Sequence, residues 1–144
     1  MPPSTEMYVR TPGMCFTAPT AYRAMLAAMD EGADLSSLRA AVSAGETLPA
    51  PVYDAWMAKT GKPMLDGIGA TEMLHIFITN RFGDSKAACT GKPVAGYEAK
   101  VVDDDMREVP RGTVGFLAVR GPTGCRYLAD RRQRVYVRDG WNLT

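Results

Sequence analysis

Asp66-Gly67-Ile68-Gly69-Ala70-Thr71-Glu72 is the stretch on which the reading of this chain turns. Apolar Pro63-Met64-Leu65 precedes it, and a longer apolar run, Met73-Leu74 through Phe77-Ile78, follows it. Two glycines spaced two apart permit a tight backbone turn and the close approach of a ligand. Thr71 offers a hydroxyl suited to a phosphate oxygen, and Glu72 a carboxylate suited to a hard cation such as Mg²⁺. Together they outline a nucleotide-phosphate site with a metal. The same residues also fit a strand, a glycine turn and the first turn of a helix, with Thr71 and Glu72 serving the helix N-terminus.

The sequence before the stretch places it in a sheet. Cys15 and Phe16 end a short strand, and Pro19 suits the first position of a helix. Tyr22, Met25, Leu26 and Met29 recur at i, i+3, i+4 and i+7, one apolar helix face that Gly32 stops. Leu38 to Ser43 reads as a buried strand running into Ser43-Ala44-Gly45-Glu46-Thr47-Leu48-Pro49, a loop of small residues with room for a flat group against backbone. Pro51 opens the next helix, with a face of Val52, Ala55, Trp56 and Lys59, and Gly61 ends it. Pro63 to Asp66 is then the third strand. Alternating strands and helices predict a parallel sheet with covering helices. Ligands of such sheets sit beyond the carboxyl ends of strands, where both the Ser43 loop and the Asp66 stretch fall.

After Gly83-Asp84 the character changes to short β-type runs between turns. Tyr97 to Val102 and Val114 to Arg120 are strands, Asp103-Asp104-Asp105 and Val109-Pro110-Arg111-Gly112 are turns, and Val135-Tyr136-Val137 is one more short strand before Asp139-Gly140-Trp141. The fold class expected is therefore α/β: a parallel-sheet β-α-β lobe followed by a small antiparallel, barrel-like lobe. The expected division is a loose lead-in over residues 1–14, an α/β sublobe over 15–86 and a β-rich sublobe over 87–144.

Bulk properties narrow the function classes. The chain has 144 residues, a formal net charge of +1, 46% hydrophobic and 23% charged residues. A chain this long buries roughly 70% of its extended surface. A near-neutral balance gives no pull toward nucleic acid or anionic membrane. No apolar run reaches the ~20 residues of a membrane span, and the N-terminus lacks the pattern of a signal peptide. Cys15, Cys89 and Cys125 lie far apart and His75 is the single histidine, which argues against a structural zinc site or a disulfide framework and for a reducing cytoplasm. Gly67-Ile68-Gly69 imitates the start of a dinucleotide fingerprint, but Glu72 stands where the third glycine belongs and would repel a pyrophosphate. Thr60-Gly61-Lys62-Pro63 and Thr90-Gly91-Lys92-Pro93 lack the upstream glycine and the hydroxyl residue of a phosphate loop and read as turns. Arg126, Arg131, Arg132, Arg134 and Arg138 read as a solvated basic face.

Read together, four segments in order resemble the adenylate-forming superfamily of acyl- and aryl-CoA synthetases. Ser43 through Pro49 resembles its adenine loop, and Asp66 through Glu72 its Gly-x-x-Thr-Glu signature. Gly91-Lys92-Pro93-Val94-Ala95-Gly96-Tyr97 resembles its Gly-x-Pro-x-x-Gly turn. Gly115 to Tyr127 with Asp139-Gly140-Trp141-Asn142-Leu143-Thr144 resembles the approach to its ribose-binding motif. The continuation Glu72-Met73-Leu74-His75-Ile76-Phe77 is most similar to benzoate- and aminobenzoate-type CoA ligases.

The resemblance implies part of the large N-terminal domain of such an enzyme. It implies ATP or AMP, Mg²⁺ and CoA, with a small aryl or acyl carboxylate as partner. By the same resemblance Glu72 holds the metal, and Thr71 and Glu72 are the catalytic pair. Gly45, Glu46, Thr47, Asp66, Gly67, Ile68, Gly69 and Thr71 contact the nucleotide, while Ala44, Gly69, Ala70 and His75 line the aryl pocket. His75 on its own equally fits a histidine packed at the edge of an apolar run. The family's phosphate loop lies upstream of this sequence. Its ribose-gripping Asp, hinge and lysine-bearing lid lie beyond Thr144. The chain is therefore expected to be an internal slice, inactive alone, with self-association through surface bared by truncation as a further expectation. A non-catalytic nucleotide- or acyl-binding module is the alternative left open.

Overall fold

The computed structural model describes residues 13–144, so the expected lead-in lies outside the described residues as far as residue 12. The chain forms two compact units, one comprising the residues up to Gly67 with Asn80–Gly91, the other Ile68–Thr79 with Lys92–Thr144.

The first unit is an α/β layer. Strands β1 (Met14–Thr17), β2 (Ala40–Ser43) and β3 (Met64–Gly69) run parallel, joined by helices α1 (Pro19–Ala28) and α2 (Ala50–Thr60). Both helices carry a proline in their first turn, where its missing N–H costs no hydrogen bond. Gly61 ends α2 in the left-handed conformation, its N–H returning to the Met57 carbonyl at 2.9 Å. Helix α1 ends at Ala28, and Met29 already has an extended backbone. The Lys59 ammonium caps this end, donating to the Leu26 and Met29 carbonyls at 3.1 and 2.6 Å.

The core of this unit is built from Tyr22, Ala41, Leu48, Val52, Tyr53, Trp56 and Met64. Tyr22 and Trp56 meet edge to face at 4.9 Å between ring centroids, a geometry that contributes about 0.5–1.5 kcal/mol beyond area burial. Their polar atoms are partnered, as buried aromatics require. The Tyr22 hydroxyl lies 2.6 Å from the Cys15 carbonyl and 2.9 Å from the Val42 carbonyl, and Trp56 Nε1 donates to the Lys62 carbonyl. The expected α2 face shifts by one position: Tyr53 is buried and Ala55 exposed. The Tyr53 hydroxyl reaches the Ser85 carbonyl and Oγ at 3.1 and 3.0 Å, which draws the ring inward.

The second unit is built on antiparallel strands. After Gly69 comes a 3-10 turn, Thr71–Met73, and then β4 (Ile76–Thr79), which pairs with β5 (Lys92–Pro93). Strands β6 (Glu98–Val102), β7 (Phe116–Arg120), β8 (Val137–Arg138) and β9 (Trp141–Leu143) form a sheet in the order β6-β7-β9-β8. It is an open antiparallel sheet and, among the described residues, does not close into a barrel. Met73, Phe77 and Val119 are its buried centre, with Ile78, Tyr97 and Leu117 packed around them.

Three local expectations are corrected. Gly67 and Gly69 lie within β3 and do not form a turn. No α-helix follows Glu72, because Leu74 leaves helical space at φ 69° after one 3-10 turn. Val135-Tyr136-Val137 is not a strand: α3 (Arg132–Tyr136) ends at Tyr136 and β8 starts at Val137. Asp130 nucleates that short helix, its carboxylate accepting the Arg132 N–H at 2.8 Å.

Candidate functional site

In the first unit the carboxyl end of β2 lies beside the middle of β3, with Ser43 in register with Asp66. Both are buried. Burial raises the Asp66 pKa above the ordinary 3.8, against the opposing influence of the nearby Ser43 and Thr90 hydroxyls and the Gly67 N–H. The Asp66 carbonyl accepts the Asn80 N–H at 2.9 Å, and Asn80 Nδ2 donates to the Cys89 carbonyl at 2.7 Å. Asp66 thus ties β2, β3 and the 80–91 segment together. Beyond Ser43, Ala44 is half-buried and Gly45, Glu46 and Thr47 are exposed. Gly45 turns the loop at φ 89°, and Glu46 is held back by the Thr20 hydroxyl at 2.6 Å.

In the second unit Ile68, Gly69, Thr71 and His75 are exposed, and Ala70 and Glu72 are half-buried. Gly69 is required by its own chain: a Cβ there would stand 2.5 Å from the His75 carbonyl oxygen. Gly69 therefore lies close against the His75 backbone. The 3-10 turn bearing Thr71 and Glu72 is pinned from the far end of the sequence. Thr123 Oγ1 donates to the Met73 carbonyl at 2.8 Å and lies 2.6 Å from the Tyr97 hydroxyl.

Glu72 meets a residue to which sequence reasoning gave no role. The Tyr127 hydroxyl donates to Glu72 Oε1 at 2.9 Å across 55 residues of sequence. Donation to this carboxylate holds the Tyr127 hydroxyl above its ordinary pKa. Tyr136 packs edge-on against Tyr127 at 5.9 Å, and its own hydroxyl is pushed up to about 12, first by burial and then by the Glu72 charge. The Arg132 guanidinium lies 5.2 Å over the Tyr127 ring. Tyr127 could have been suspected only from its place after β7, since no spacing rule links it to Glu72.

Among the described residues no cluster of three or more His, Cys, Asp or Glu side chains could cage a metal. The donor set instead fits Mg²⁺, which is commonly held by one or two carboxylates together with substrate phosphates and water. Tyr127 engages Glu72 Oε1, and among the described residues no hydrogen bond reaches Oε2, the oxygen that would hold a cation. Among the described residues no helix is long and apolar enough to cross a membrane. The basic run is largely solvated, with Arg126, Arg131 and Arg134 exposed and Arg132 paired to Asp130 at 2.6 Å.

The sequence model of the AMP-binding enzyme family matches residues 7–127, which include the loop after β2, the stretch through Glu72 and Tyr127 itself. The chain belongs to the AMP-binding enzyme family. A benzoate–CoA ligase from Thauera aromatica is 46% identical over 116 residues, 78% of this chain and 22% of that protein. The crystal structure of an anthranilate CoA ligase in complex with anthranoyl-AMP superposes with a TM-score of 0.85 at 45% identity, covering 91% of this chain and 26% of that one. A benzoate CoA ligase from Burkholderia xenovorans LB400 gives 0.84 at 35% identity, covering 96% and 29%. This AMP-binding family chain thus spans about a quarter of the length of each of these relatives. Its mixed fold, a parallel sheet with helices and an antiparallel sheet, is that of the N-terminal domain of adenylate-forming enzymes.

Proposed function

We propose that this chain is the nucleotide- and metal-facing segment of an ATP-dependent aryl-CoA ligase that acts in the cytoplasm. In the complete reaction a substrate carboxylate oxygen attacks the α-phosphorus of ATP, and pyrophosphate leaves. The CoA thiol then attacks the acyl carbon of the adenylate, AMP leaves and a thioester remains. The observation that carries the proposal is Glu72: a carboxylate on a pinned turn, with one oxygen engaged by Tyr127 and no hydrogen bond to the other among the described residues.

Glu72 is assigned to the metal, and Thr71 to a phosphate oxygen. Magnesium, when bound, neutralises phosphate charge and acts as a Lewis acid. Gly45, Glu46 and Thr47, and Asp66 through Gly69, are assigned to the nucleotide. Ala44, Gly69, Ala70 and His75 are assigned to the aryl group. In this scheme residues 15–86 supply these segments, and residues 87–144 supply the support under Glu72. The benzoate and anthranilate specificities of the similar ligases make a small benzoate-type acid the proposed substrate.

The chain alone is proposed to be inactive, because the reaction needs phosphate-binding and lid groups that these residues do not supply. Incubation with ATP, Mg²⁺, CoA and benzoate should give no thioester above a protein-free control. Robust turnover by the isolated chain refutes the inactivity. In a complete ligase, Glu72→Ala should slow adenylation strongly, and unchanged kinetics at limiting Mg²⁺ would remove Glu72 from the metal role.

A further inference from the structure

We propose that Tyr127 is the positioning residue for Glu72: its hydroxyl fixes the carboxylate so that Oε2 faces the cation. The inference rests on the metal role proposed for Glu72 and adds to it a residue drawn from the distant end of the sequence.

A glutamate side chain on a short turn has three rotatable bonds and loses considerable rotamer entropy when a cation selects one arrangement. The structure removes that freedom in advance. Tyr127 donates to Oε1 at 2.9 Å. The Tyr127 ring is itself held, edge-on against Tyr136 at 5.9 Å and under the Arg132 guanidinium at 5.2 Å. Its backbone N–H donates to Gln133 Oε1 at 2.8 Å, which fixes the segment against α3. The turn below Glu72 is fixed separately by the Thr123 bond to the Met73 carbonyl. The carboxylate is therefore braced both through its backbone and through one oxygen. Such partners of metal-binding carboxylates typically contribute about 10–100-fold to metal affinity. The hydroxyl also draws a little charge from the carboxylate, but a single neutral donor does so weakly, and the lost orientation dominates when it is removed.

The test uses the full 144-residue chain labelled with ¹⁵N and titrated with Mn²⁺ in the presence of ATP. Paramagnetic broadening of individual amides detects even weak binding. In the wild type, broadening should centre on Thr71, Glu72, Met73 and Tyr127. Glu72→Gln should abolish that pattern. Tyr127→Phe, which keeps the ring and its contacts, should raise the Mn²⁺ concentration for half-broadening by about tenfold, with a melting temperature close to wild type. Equal half-broadening in Tyr127→Phe and wild type, with Glu72→Gln still defective, overturns the positioning role and leaves the metal role standing. Broadening that is absent from these residues in the wild type, or unchanged in Glu72→Gln, overturns the metal role and the positioning role with it. Should Tyr127→Phe melt well below wild type, the Thr123→Val variant serves as the comparison. It loosens the turn without touching the carboxylate, and an equal loss of Mn²⁺ affinity in both variants would count against a specific effect of the Tyr127 hydroxyl.

Discussion

Replacing Gly69 by alanine should destabilise the fold without any effect of backbone conformation. Gly69 has no positive φ, so alanine meets no left-handed penalty there. The obstacle is space. The new Cβ would stand 2.5 Å from the His75 carbonyl oxygen, 2.8 Å from its carbonyl carbon and 2.9 Å from the Ile76 Cα. All three are backbone atoms, so no side-chain rotation relieves the overlap, and either the end of β3 or the start of β4 must move. Forced overpacking of this kind costs typically about 1–3 kcal/mol. For a chain of this size each kcal/mol lowers the melting temperature by about 2–4 °C. Gly32→Ala is the matched control, with nothing within 4 Å of its added methyl and no positive φ, and should change stability by less than about 0.5 kcal/mol. Urea unfolding followed by tryptophan fluorescence measures both. A Gly69→Ala variant as stable as Gly32→Ala would refute the reasoning that His75 and Ile76 dictate the glycine.

Other perturbations test other joints. Tyr22→Phe removes a hydroxyl shared by the Cys15 and Val42 carbonyls and should cost about 1–3 kcal/mol in the same unfolding assay; a loss near zero would mean that neither bond matters. Gly140→Ala places a side chain at φ 78° in the two-residue Asp139-Gly140 turn between β8 and β9, where the left-handed conformation should cost about 1–2 kcal/mol. A variant of wild-type stability would exclude strain at that turn. For Asp66 the sign follows from its raised pKa: the folded state holds the proton more tightly than the unfolded chain. Its favourable contribution is complete below the ordinary 3.8 and is lost as pH rises through the folded pKa. The melting temperature of Asp66→Asn relative to wild type should therefore rise between pH 3.5 and pH 7, and a pH-independent difference would contradict the buried carboxyl.

The parallel layer was legible because its signals are local. Pro19, Pro51 and Gly61 mark helix ends by their own backbone constraints, and β2 and β3 are short apolar runs between them. What the sequence hid depends on distant partners. Tyr53 is drawn into the core by Ser85, a bond across 32 residues that no helical periodicity encodes. The glycines of the central stretch suggested a turn, whereas Gly69 answers to the nearby return of the chain at His75. The Val135-Tyr136-Val137 run has β propensity, yet Asp130 starts a helical turn just before it. Of the candidate site, Thr71 and Glu72 were legible as a hydroxyl beside a carboxylate. Tyr127, which holds that carboxylate, was not, because a contact across 55 residues leaves no spacing to read.

The loop after β2 and the stretch from Asp66 to Glu72 are the segments proposed to face the adenylate in an aryl-CoA ligase. Titration of the ¹⁵N-labelled chain with benzoyl-AMP tests this proposal most directly. Amide shift changes should concentrate at Gly45, Glu46 and Thr47 and from Asp66 through Glu72, and should saturate with added adenylate. Saturable shifts that spare both segments, or no shifts at millimolar adenylate, would contradict the proposal.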